Sequence, residues 1–178
     1  MRRLVLTLLC ALVAVPAAVA ATTAPGDGVF ELNNVYGNVS IGSPWQSARG
    51  VLWGQMDDGQ ITAVDPTGPA DGTVLVSGWE DRQVIQATDT APKMTVYSGK
   101  GLHFRVTGGK YRITFTGDNI NLTAVGVGVA RLVGDPKADD PGTYSVDSGP
   151  WVDVPTLDEL SSTSLKVTFG TQPTTTGP

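Results

Sequence analysis

Apolar and polar residues alternate along much of this chain with a period of two. The pattern is plain in Val39-Ser40-Ile41, Gln60-Ile61-Thr62-Ala63-Val64 and Thr73-Val74-Leu75-Val76-Ser77. It recurs in Leu102-His103-Phe104-Arg105-Val106, Tyr111-Arg112-Ile113-Thr114-Phe115 and Leu165-Lys166-Val167-Thr168-Phe169. Successive side chains of a strand point to opposite faces, so these runs predict half-buried strands with one apolar face each. In the fourth run Leu102, Phe104 and Val106 are expected inside, with His103 and Arg105 outside.

Turn chemistry separates the runs. Asp58-Gly59, Asp71-Gly72, Gly108-Gly109, Gly117-Asp118-Asn119 and Pro141-Gly142 favour reversals or positive φ. The stretches flanking Gly108-Gly109, Leu102 to Thr107 and Lys110 to Thr116, predict a hairpin. Only Thr156 to Leu160 reads as helix, a turn or two long, because Thr156 and Glu159 have capping-box spacing after Pro155. The expected fold is therefore all-β, an antiparallel β-sandwich or flattened barrel. Irregular gaps between the runs argue against a solenoid. Gly50 to Val64 can be laid without gaps on Asn119 to Val133, which suggests two weakly similar halves, each a strand–turn–strand unit. The 22 valines and 21 threonines, both β-branched, suit the same reading.

The first twenty residues follow another pattern. Arg2 and Arg3 precede the apolar run Leu4 to Val15, Pro16 breaks it, and Ala18-Val19-Ala20 offers small residues for cleavage. This is the three-part form of a secretory signal peptide. Residues 1–20 are read as that signal, 21–28 as a linker, 29–170 as one β domain and 171–178 as a Thr/Pro-rich tail. The expected location is outside the cell or in its envelope, with no membrane contact after cleavage. Cleavage removes Cys10, the single cysteine, so the exported chain must be held by its apolar core alone.

Charge and residue scarcity then narrow the chemistry. A net charge of −5 and a pI near 4.6 leave no basic footprint for nucleic acid. One cysteine and one histidine exclude an internal disulfide and a two-histidine metal site, and no cofactor is expected. No nucleophile elbow, zinc-protease motif or phosphate loop is present. His103 is expected to be a solvated surface group, and the chain is not expected to be an enzyme. Asp135, Asp139 and Asp140 supply the oxygen ligands that calcium prefers, although aspartate is also an ordinary turn residue. Trp45 and Trp151 follow prolines in loop-like settings and are candidates to stack on a sugar ring. Trp53 and Trp79 end apolar runs and are expected in the core.

The segment from Thr95 to Asp147 contains Leu102-His103-Phe104-Arg105-Val106, Gly109-Lys110-Tyr111-Arg112-Ile113 and Asn121-Leu122-Thr123-Ala124-Val125-Gly126. It resembles small exported β-rich bacterial proteins that carry no assigned activity, and the resemblance implies an all-β fold and nothing more. The leading expectation is an exported, non-catalytic domain with a structural or binding role at the cell surface or beyond, its partner unknown but of the glycan or surface-protein kind. The alternatives are a carbohydrate-binding or carbohydrate-cleaving β-sandwich and a calcium-stabilised adhesin-like module.

Overall fold

A computed structural model of the chain describes residues 26–43, 47–65, 73–86 and 93–171. The expected signal peptide, Trp45, the Asp71-Gly72 turn and residues 172–178 of the tail lie outside them.

The described residues form nine strands: β1 (Gly28–Ile41), β2 (Ala48–Asp65), β3 (Val74–Ser77), β4 (Asp81–Ile85), β5 (Lys93–Val106), β6 (Lys110–Gly134), β7 (Thr143–Val146), β8 (Val152–Asp153) and β9 (Leu165–Phe169). All belong to one sheet in the order β3-β5-β2-β6-β1-β7-β8, with β4 also on β5 and β9 also on β6. Neighbours run antiparallel. The register climbs β1 from Gly28 to Ile41 as it descends β6 from Gly126 to Ile113, and it climbs β2 from Gly50 to Val64 as it descends β6 from Gly126 to Arg112. The edges of the sheet do not join, so of the two expected forms the barrel is not the one adopted.

The sheet is creased along a rung of glycines. Gly99 opposes Gly59, Gly59 opposes Gly117, Gly117 opposes Gly37, and Gly37 also opposes Gly134. At the centre of the rung Gly59 has φ 142° and Gly117 has φ 152°. A Cβ on Gly59 would lie 2.2 Å from the Thr116 carbonyl oxygen, and one on Gly117 would lie 2.1 Å from that of Asp58. Only glycine tolerates both that conformation and that approach.

Each long strand shifts its inward-facing parity as it crosses the crease. The buried hydrophobic residues include Phe30 and Leu32, then Val35, Val39 and Ile41, in β1, and Leu52 and Met56, then Ile61 and Ala63, in β2. In β5 Thr95 and Tyr97 are buried, then Leu102, Phe104 and Val106; in β6, Tyr111, Ile113 and Phe115, then Ile120, Leu122 and Ala124. An extra residue at a bend, as in a β-bulge, has this effect and sharpens the turn of the strand.

Two layers result. The first holds β4, β9 and the halves of β5, β2, β6 and β1 around Tyr97, Ile61, Phe115 and Val39, and residues 130–134 of β6 return to it along the free edge of β1. The second holds β3, β7, β8 and the other halves, around Phe104, Leu52, Leu122 and Leu32. Their inner faces meet in a single apolar core. Phe104 of the second layer packs on Phe115 of the first at 4.4 Å between ring centroids, and Phe30 stacks on Phe169 at 5.7 Å.

Several sequence expectations are met. Leu102, Phe104 and Val106 are buried while His103 and Arg105 are exposed. The helical turn is a single 3₁₀ turn, Leu157–Glu159, and the Glu159 carboxylate accepts from the Thr156 backbone N–H at 2.8 Å and from its hydroxyl at 3.0 Å. These bonds hold the carboxyl below the usual carboxylate range.

Other expectations are corrected. β5 and β6 do not form a hairpin at Gly108-Gly109, because β2 lies between them, with Leu52 opposite Val106 and Ala48 opposite Tyr111. The two glycines carry the chain from one layer to the other, and Gly109 accepts the Gly50 N–H at 3.1 Å. Asp58-Gly59 and Gly117-Asp118-Asn119 are not reversals; both lie inside unbroken strands at the crease. The two echoing segments are therefore not strand–turn–strand units but neighbouring strands of one sheet, Trp53 opposite Thr123.

Candidate functional site

The outer face of the second layer carries a shallow trough of about 520 Å³. Its position follows from register. Arg105 of β5 faces Trp53 of β2, which faces Thr123 of β6. One step along, Ser77 of β3 faces His103, His103 faces Gln55, and Gln55 faces Asn121. Directly opposed side chains in a sheet stand about 5 Å apart, so these two rows form one contiguous patch. Gly54 lies between Trp53 and Gln55, and a Cβ there would come within 2.8 Å of the Phe104 ring. That missing side chain lets the core ring approach the strand directly beneath the trough.

Trp53 is 42 % exposed, which corrects the expectation that it fills the core. The strand period explains it: Leu52 and Met56 take the inward positions, and Trp53 and Gln55 are left outward. Trp79 is also exposed, at the corner between β3 and β4. The exposed side chains of Gln55, His103 and Arg105 make no hydrogen bond or ion pair with the other described residues, and the one ion pair there, Lys100 with Asp58 at 3.6 Å, lies nearer the crease.

Asn121 is different. Its amide nitrogen donates to the Asn119 carbonyl at 2.9 Å and the Asn119 side-chain oxygen at 2.7 Å, while its own oxygen accepts the Asn34 N–H at 2.9 Å. Asn34 and Asn119 have φ of 54° and 51°, so Asn121 clamps the two non-glycine bends beside the crease. It forms one wall of the trough while fixing the strands on either side of it.

The trough therefore offers an indole face, a guanidinium, an imidazole, a primary amide and a hydroxyl, with no carboxylate among its lining residues. Glu31, opposite Thr123 on β1, lies on the same row beyond the lining. The electrostatic character runs from positive at β5 towards negative at β1.

The residues singled out from the sequence lie elsewhere. Trp151 is 51 % exposed, just before β8, and Trp45 is outside the described residues. Asp135 accepts the Lys137 N–H at 2.9 Å and Asp140 the Gly142 N–H at 2.9 Å, both as turn caps. Asp139 and Asp140 border one depression and Asp135 another, so the three are not gathered. Among the described residues no cluster of three or more metal-ligating side chains occurs. The phenol of Tyr111 is fully buried without a hydrogen-bond partner among the described residues, and burial pushes its pKa upward. That group is closed off from ligands.

No family model, curated protein or solved structure matches this chain. The trough must therefore be interpreted from its own residues. Sequence reasoning placed His103 and Arg105 on an outer face but missed Trp53 as their neighbour. The available signal was the parity of Trp53 against Leu52, which outweighs its place at the end of an apolar run.

Proposed function

We propose that this chain is an exported, non-catalytic β domain that acts by binding a carbohydrate at the cell surface or outside the cell. The observation that carries the reading is the exposed Trp53 face flanked by unengaged Gln55, His103 and Arg105 on one face of the sheet. Sugar rings present an apolar face and a rim of hydroxyls. An indole supplies apolar contact, and amide and hydroxyl groups can both donate and accept. A few convergent polar groups around an aromatic surface are the usual make-up of a small-molecule site. The signal-like first twenty residues support export.

The test is a panel of neutral and acidic polysaccharides offered to the chain beginning at Ala21, beside its Trp53→Ala variant. Retention that Trp53→Ala removes supports the proposal. No retention by any member, or retention unaffected by Trp53→Ala, refutes it.

A further inference from the structure

Resting on the carbohydrate reading, we infer that the trough selects acidic glycans, polymers of uronic acid type, with the ligand carboxylate held by Arg105 while the ring lies on Trp53. Three observations support this. Arg105 is the direct cross-strand partner of Trp53, so the two side chains leave opposed positions on one face and line the same trough. Arg105 has no counter-ion among the described residues, and the trough lining holds no acid to neutralise it. The rest of the lining is neutral apart from His103, two residues along the same strand and facing the same way.

A cation with no acid beside it is a place where an anion gains, and here that cation shares a trough with an exposed indole. Guanidinium binds carboxylate through two parallel hydrogen bonds, which fixes orientation as well as adding affinity. Glu31, at the far end of the row, disfavours a carboxylate there and so sets which way the ring lies. A polyphosphate chain needs several cations in line, and the trough supplies one permanent charge, so a nucleic acid is a poor fit. Uronate units place one carboxylate beside each ring, which matches one guanidinium beside one indole.

The experiment compares polygalacturonate with its fully methyl-esterified form, which keeps the backbone and removes the charge. Each is titrated into the chain from Ala21 and into its Trp53→Ala, Arg105→Gln and Arg105→Lys variants. Polygalacturonate is expected to bind about tenfold or more tighter than the ester. Arg105→Gln should bring polygalacturonate binding down to the level of the ester, and Arg105→Lys should restore the difference only in part. Equal binding of acid and ester, both lost in Trp53→Ala, overturns the acid preference and leaves the carbohydrate reading standing. No Trp53-dependent binding to either form or to the wider panel overturns both. Poly-glutamate binding as tightly as polygalacturonate overturns the glycan class and identifies an acidic peptide instead.

Discussion

The outer faces of the two layers are built from the same strands, yet they are finished differently. On the first layer two polar pairs meet across β1 and β6. Ser40 and Thr114 share a hydrogen bond at 3.0 Å, and the Asn38 amide donates to the Thr116 hydroxyl at 2.7 Å. On the second layer Arg105, Trp53, Gln55 and His103 stand at equivalent outward positions and leave their polar groups unengaged. Hydroxyls and short amides just reach their cross-strand partners at these positions of the first face. Long or aromatic side chains on the second extend beyond such pairing and leave donors and an aromatic surface available. The two faces thus present cross-strand polar pairs on one side and an unengaged aromatic and polar patch on the other.

The crease gives the molecule two faces, so breaking it should have the largest effect. Gly117→Val forces a side chain into the Asp58 carbonyl and is expected to cost on the order of 3 kcal/mol or more in urea unfolding. Gly101→Asn is the matched control. Gly101 has φ 63°, but a Cβ there meets nothing within 4 Å, and asparagine visits this region readily, so a loss of about 1 kcal/mol or less is expected. Equal losses would mean that backbone conformation, rather than close approach, holds the crease.

Asn121→Ala sharpens the comparison within the second layer. It removes three hydrogen bonds at the bends of Asn34 and Asn119, and a loss of about 1–3 kcal/mol is expected. Amide exchange should quicken around residues 33–35 and 119–121 before it does in β9.

The two faces themselves are compared by one substitution on each. Thr114→Val breaks the Ser40 pair and should cost about 0.5–1.5 kcal/mol. Arg105→Gln, whose side chain has no hydrogen-bond or ion-pair partner among the described residues, should stay within about 0.5 kcal/mol of the parent. If Arg105→Gln destabilises more than Thr114→Val, the second face is structural and the contrast fails. The smallest effect is expected for His103→Ala, within about 0.5 kcal/mol, because His103 faces solvent between Leu102 and Phe104. A larger loss by thermal unfolding would place the imidazole in a stabilising contact.

Alternation alone determined which side chains of 102–106, 111–115 and 165–169 face the core, since a period of two is local to each strand. The Thr156–Glu159 cap was equally legible, because its partners are three residues apart. The site was legible only in part: His103 and Arg105 were placed outward, but their pairing with Gln55 and Trp53 joins residues about fifty positions apart through β2. Tertiary structure alone decided that Gly59 and Gly117 crease a strand instead of ending it. Glycine and asparagine mark where φ can be positive, and whether the chain then reverses depends on which strand already occupies the neighbouring edge. Here β2 occupies the edge of β5 that β6 would have needed, so a two-glycine turn became a crossing between layers.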